Sequence, residues 1–197
     1  MKEFFADGMR LLLNGNHTNT GVCPGLTQCE ANAVAAFHRS HPAYAPTPLL
    51  SLPNLAKELG IKAVYVKDES RRFGLNAFKG LGGLYAVSRS LCQCMGIDPE
   101  KTDFPSLRAL VRERSERPVF VTATDGNHGK GVAWAAREYG CAARVFMPKG
   151  SSLFREAAIA KQGADVTVTD MNYDDTVAYA AKTAEEKGWV LVQDTAW

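Results

Sequence analysis

Lys79 stands in the run Asn76-Ala77-Phe78-Lys79-Gly80-Leu81-Gly82-Gly83. It lies between Phe78 and Leu81, after a polar, Gly-containing loop, and at the start of a stretch that reads as a helix from Phe78 to about Met95. Most lysines are simply solvated. At this address two effects disfavour the ammonium: the positive end of the helix dipole and the apolar neighbours. A lysine driven toward the neutral amine can attack a carbonyl and form a Schiff base. A solvated Lys79 is the competing reading.

Two further stretches carry chemical side chains. The first is Thr122-Ala123-Thr124-Asp125-Gly126-Asn127-His128-Gly129-Lys130-Gly131. Its glycines let backbone approach a ligand, and a helix opening near His128 aims free N–H groups outward, as a carboxylate or phosphate requires. The alternative is a plain turn in which Asp125 or Asn127 caps the helix. The second is Gln193-Asp194-Thr195-Ala196-Trp197, where a lone Asp after a strand is a turn residue, a cap or a site carboxylate. The glycines of Gly80-Leu81-Gly82-Gly83 do not make a dinucleotide fingerprint: the spacing is wrong and no strand precedes them. Inside a helix they suit the close packing of a flat ring or another backbone.

The elements that position these groups follow from punctuation and periodicity. Residues 1–27 read as irregular, with Gly8, Gly15, Gly21, Pro24 and Gly25 as breaks. Thr27 caps a helix from Gln28 to Ser40, with Glu30 in its first turn. Pro42, Pro46 and Pro48 impose an extended path. A short helix over Pro53 to Leu59 precedes a strand over Lys62 to Lys67. After the Lys79 helix, Phe104 to Arg117 reads as helical. From Pro118 the pattern alternates: strands at 119–122, 143–147, 165–169 and 189–193, with helices at 128–139, 152–162 and 173–187. Strands separated by helices of crossover length mean an open parallel α/β sheet with flanking helices. In such sheets ligands bind beyond the carboxyl ends of the strands. Both marked loops fall there.

Composition narrows the partners. The chain has 197 residues, 46% hydrophobic and 22% charged, enough for one substantial core or two small lobes. The net charge is +2, and no basic run is interleaved with aromatics, so nucleic acid is not an expected partner. No apolar run approaches the ~20 residues of a membrane span. The five cysteines are an odd count without metal or redox spacing, which suits reduced thiols in a cytoplasmic protein. The four histidines form no metal pattern.

The motifs together carry a resemblance. Asn76-Ala77-Phe78-Lys79 resembles the cofactor-lysine motif of the fold type II pyridoxal-phosphate enzymes, the tryptophan-synthase β and serine/threonine dehydratase superfamily. Thr124-Asp125-Gly126-Asn127-His128-Gly129 resembles that family's asparagine loop, and Pro46-Thr47-Pro48-Leu49 its early Thr-Pro-Leu segment. Dehydratases and cysteine synthases carry Ser or Thr where this chain has Asp125. That carboxylate, with Phe73 to Lys79 and Gln193 to Trp197, makes the chain similar to the diaminopropionate ammonia-lyase family.

The resemblance implies an enzyme that eliminates ammonia from D- and L-2,3-diaminopropionate with pyridoxal 5'-phosphate. Lys79 would hold the cofactor and serve as base on one face, with Phe78 beside it. Asp125 would serve the other face, and Asp194 would assist. Asn127 would meet the cofactor's 3-oxygen, and the amides of Gly126, Asn127, His128 and Gly129 the substrate carboxylate. It also implies a cytoplasmic homodimer. Residues 1–96 would begin a large cofactor-binding domain, and residues 97–197 would form most of a small α/β domain. The family is about twice this length, and its phosphate-binding loop follows the matched stretch, so the 197-residue chain alone is expected to bind cofactor weakly and be inactive. A serine/threonine dehydratase-like lyase and a non-catalytic α/β binding module are the alternatives.

Overall fold

The computed structural model describes residues 2–6, 9–13 and 27–194. Two compact units divide the chain, residues 1–33 and 34–197. In the first, β1 (Lys2–Ala6) and β2 (Met9–Leu13) pair antiparallel, with Phe4 opposite Leu11. An irregular segment is the expectation for these residues. Residues 14–26 and 195–197, which carry the other early breaks and the end of the last motif, lie outside the described residues.

Helix α1 (Gln28–Ser40) has the expected bounds. Thr27 Oγ1 accepts from the Glu30 N–H at 3.2 Å, and the Thr27 N–H donates to Glu30 Oε2 at 2.8 Å. This reciprocal pair satisfies two donors at the helix entrance.

In the second unit, β3 (Leu49–Ser51) and β4 (Tyr65–Lys67) pair antiparallel around α2 (Pro53–Glu58). The strand expected from Lys62 forms only from Tyr65, because its partner offers three residues. A 3-10 turn at Arg72–Gly74 leads to α3 (Gly80–Met95). Helix α4 (Phe104–Arg112) is capped by Asp103, which accepts from the Ser106 N–H at 2.9 Å. It ends earlier than the expected Arg117. The Arg117 side chain instead folds back, donating to the carbonyls of Arg112 and Gly140 at 3.0 Å each.

Four parallel strands follow with their crossover helices: β5 (Val119–Ala123), α5 (Asn127–Tyr139), β6 (Ala142–Met147), α6 (Leu153–Ala160), β7 (Asp165–Val168), α7 (Tyr173–Lys187) and β8 (Val190–Leu191). Gly140 and Gly188 close α5 and α7 with φ of 73° and 65°, the left-handed turn that glycine takes without strain. The strand order is β7-β6-β5-β8. The chain thus builds outward from β5 on one side and then crosses to its other side. That reversal opens a crevice at the carboxyl ends of β5 and β8.

The central strands β5 and β6 are buried on both faces, as a parallel sheet requires. Phe120 and Val145 join a core with Val132 and Ala136 of α5, Leu84 and Leu91 of α3 and Phe104 of α4. Val121 and Ala123 point the other way, toward Ala180 and Ala184 of α7. A fully buried side chain of this size contributes about 1.5–3 kcal/mol. The first core draws on residues from both sides of position 96.

Helices α3 and α5 cross with backbones nearly touching. A Cβ on Gly83 would lie 2.8 Å from the carbonyl carbon of Gly131, and one on Gly131 would lie 2.9 Å from the Lys79 carbonyl oxygen. Glycines near Lys79 therefore admit another backbone, one of the two packings expected of them. Further along, the Ser88 hydroxyl donates to the Leu84 carbonyl at 2.6 Å, so the buried Tyr139 hydroxyl, 2.6 Å away, donates to Ser88. The glycine contact sets the start of α3 against the start of α5.

Candidate active site

Lys79 sits immediately before α3, and the loop that delivers it is held on two sides. Arg72 is buried. Its Nε donates to Glu69 Oε2 at 2.7 Å, its Nη1 to the Ala45 carbonyl at 2.8 Å and its Nη2 to Thr47 Oγ1 at 3.0 Å. This ties the proline-rich stretch to the loop. The Arg72 guanidinium holds the Glu69 carboxyl well below its ordinary range, at about 2. Phe73 adopts a left-handed φ of 50°, uncommon for a bulky residue, and its ring stacks on Trp134 of α5 at 4.5 Å. Asn76 is also left-handed, at φ 54°, which asparagine tolerates better.

The Lys79 side chain reaches Asp194, the residue that follows Gln193 beyond β8. Nζ lies 2.5 Å from Oδ1 and 2.6 Å from Oδ2. The lysine side chain is 32% exposed and the aspartate 25%. Among the described residues no apolar enclosure surrounds the amine: Phe78 is largely exposed, and Lys79 has a carboxylate partner instead.

His128, in the first turn of α5, closes the group. Its Nε2 lies 3.0 Å from the Val192 carbonyl, and its Nδ1 lies 3.5 Å from Asp194 Oδ1. A carbonyl only accepts, so Nε2 carries the proton. Burial pushes the imidazole below its ordinary value; the Val192 hydrogen bond and the Asp194 charge oppose that shift, and the Lys79 charge adds to it. The ring therefore joins the start of α5 to the end of β8 across the crevice.

The asparagine loop is organised by a residue that motif reasoning passed over. Thr124 is buried, and its hydroxyl accepts from the Gly126 N–H at 3.0 Å and the Gly129 N–H at 3.3 Å. Neither Asp125 nor Asn127 caps α5. A threonine two residues before a glycine is a recognised local acceptor, and that was the available signal. Gly129 and Gly131 also serve the protein's own packing: a Cβ on Gly129 would lie 2.3 Å from Thr124 Cγ2. The N–H groups of Asn127 and His128 have no intrahelical acceptor by position, since the first such bond runs from Lys130 to Gly126.

Asp125 is placed apart from the Lys79–Asp194 pair. It is exposed and meets Arg155 of α6, whose Nη1 lies 3.2 Å from the Asp125 carbonyl oxygen and 3.3 Å from Oδ2. Arginine in the first turn of a helix opposes the dipole, so its position hinted at an outside partner. Tyr173, at the start of α7, feels the charge of both carboxylates. Its hydroxyl is pushed up by partial burial first, then by the charges of Asp194 and Asp125.

The donor set suits an aldehyde-bearing ring cofactor. Lys79 offers an accessible primary amine, Phe78 an exposed ring beside it, and Asn127 an exposed amide at the mouth of α5. An open parallel α/β sheet with a lysine at its ligand-binding end describes a fold type II pyridoxal-phosphate enzyme. The pyridoxal-phosphate-dependent enzyme family matches residues 41–196, and the chain belongs to it.

Over its whole length the chain is 54% identical to the diaminopropionate ammonia-lyase of Salmonella typhimurium, of which it covers 46%. The apo crystal structure of the Escherichia coli diaminopropionate ammonia-lyase superposes with a TM-score of 0.83 at 47% identity, covering 91% of this chain and 48% of that one. A second structure of the E. coli enzyme, in complex with an aminoacrylate-PLP azomethine reaction intermediate, matches with a TM-score of 0.81 at 47% identity, covering 91% of this chain and 44% of that one. The chain spans about half the length of the relatives it matches.

Proposed function

We propose that the whole protein is a pyridoxal-phosphate-dependent carbon–nitrogen lyase that converts D- and L-2,3-diaminopropionate and water to pyruvate and two molecules of ammonia. The observation that carries the reading is the meeting of Lys79, Asp194 and the start of α5 at one crevice, in a chain 54% identical to the Salmonella enzyme. When bound, the cofactor supplies the electron sink that acidifies the substrate's Cα proton.

This chain's residues do the rest. Lys79 is the amine that holds the cofactor aldehyde and, once released, takes the Cα proton on one face. Asp125 takes it on the other. Asn127 meets the ring's 3-oxygen, and Phe78 flanks it. The stretch from Gly126 through Asn127 and His128 to Gly129 receives the substrate carboxylate, with the Asn127 and His128 amides as donors at the positive end of α5. Asp194 faces the cationic amino groups. Residues 1–96 belong to the larger cofactor-binding domain and 97–197 to the smaller one, in a cytoplasmic homodimer.

The test is pyruvate formation from each isomer by the purified protein with pyridoxal phosphate, alongside serine and threonine. Turnover of diaminopropionate, lost in Lys79→Ala, is the expected result. Faster turnover of serine or threonine would move the reading to a dehydratase. Failure of borohydride to fix the cofactor on Lys79 would remove Lys79 from its role.

A further inference from the structure

Among the described residues, His128 is a buried ionisable side chain at the crevice for which the proposed chemistry supplies no role beyond its backbone amide. Its surroundings define two states. With Nε2–H given to the Val192 carbonyl, a neutral ring turns a bare Nδ1 toward Asp194 Oδ1 at 3.5 Å. Two lone-pair atoms facing each other are unfavourable unless a cation stands nearby. The Lys79 ammonium is that cation, bound to the same Oδ1 at 2.5 Å. Once Lys79 loses its charge, the partly buried Asp194 carboxylate is left without that partner. A proton on Nδ1 then becomes its nearest compensation.

We propose that His128 is a positioning residue that takes up the proton Lys79 gives up, so that Asp194 faces one cation until substrate brings its amino groups. The transfer balances. A proton leaves Nζ for Asp194 Oδ1 and passes to His128 Nδ1. Lys79 becomes a neutral amine, His128 an imidazolium, and Asp194 is unchanged. No electrons and no co-reactant are involved. The 3.5 Å gap closes by a few tenths of an ångström to reach hydrogen-bond length, an adjustment common when a site fills. The charged groups acting on the ring are Asp194 beyond β8 and Lys79 before α3; Tyr173 of α7 faces both of these. The direction of their effects agrees: Asp194 favours the charged ring and Lys79 disfavours it.

The inference rests on the proposed reading only for why Lys79 must shed its proton. Its first test therefore needs no turnover. In cofactor-free protein labelled with 15N-histidine, the ring nitrogens report tautomer and protonation, and the His128 signals are assigned by their loss in His128→Gln. The expected wild-type ring is neutral with the proton on Nε2. In Lys79→Met its titration midpoint moves up by about one pH unit or more, and in Asp194→Asn it moves down. A midpoint unmoved in either variant, or a neutral wild-type ring protonated on Nδ1, would overturn the proposal. In the active holoenzyme, His128→Gln shifts the acid limb of the kcat/KM profile to higher pH; an unshifted limb would also overturn it. A ring that merely braces α5 against β8 would feel the same two charges and shift its midpoint alike, but it would leave the acid limb of the kcat/KM profile where it is.

Discussion

Asp194 holds the Lys79 ammonium with both carboxylate oxygens, at 2.5 and 2.6 Å, across 115 residues of chain. The pair sits at the crevice where the strand order reverses, so its partners come from the start of α3 and the end of β8. Replacing Asp194 by Asn keeps the shape and removes the charge. Activity with either isomer is expected to fall by roughly 100-fold, the scale of a lost proton-handling group. Thermal or denaturant unfolding should move by less than ~1 kcal/mol, because the pair is partly exposed. Equal losses of stability and activity would show that the pair is only structural.

Arg155 fixes both the carbonyl and the carboxylate of Asp125. If Asp125 serves one face of the substrate, Asp125→Asn should lower turnover of one isomer by about 100-fold and spare the other. Arg155→Gln should lower turnover of the same isomer by a smaller factor. Steady-state rates for the two isomers measured side by side give the ratio. A ratio unchanged in both variants separates Asp125 from stereochemistry.

The glycine crossing makes predictions of opposite sign within one helix pair. Gly131→Ala would press a methyl to 2.9 Å from the Lys79 carbonyl oxygen, and Gly83→Ala would press one into the Gly131 backbone. Each should destabilise by about 1–3 kcal/mol. At Gly82 nothing lies within 4 Å, so Gly82→Ala should stabilise α3 by about 0.5–1 kcal/mol. Denaturation midpoints with unchanged slopes are the measurement.

Acid should loosen the loop before Lys79 through Glu69. Its carboxyl is held at about 2 when folded, against an ordinary 4.5. A depressed carboxylate contributes stability that is fully present above pH 4.5 and is lost as pH falls toward 2. Glu69→Gln should cost on the order of 2 kcal/mol at neutral pH and flatten the stability profile over that window. Stability followed from pH 6 to pH 2.5 in both proteins checks the sign.

The candidate site was legible in parts. Lys79, Asp125, Asn127 and Asp194 are visible as side chains beside glycines and strand ends, because loop chemistry is local. The roles of Thr124, Arg155 and the His128 ring were not. Each acts through a partner on another element or through a hydroxyl that could serve several acceptors. Among the described residues Lys79 meets a carboxylate and not the expected apolar neighbours, because flanking residues say which side chains are adjacent in the chain and not which face is covered.

The sequence by itself determined the crossover grammar from Val119 onward and the cap at Thr27. These depend on backbone geometry within a few residues. Tertiary structure alone decided that β8 lies beside β5, that Gly83 meets Gly131, and that Asp194 faces Lys79 and His128. Strand order is set by how the two faces of the sheet are buried, a property of the whole core. A lysine and an aspartate far apart in the chain become partners only once that order brings their loops to one crevice.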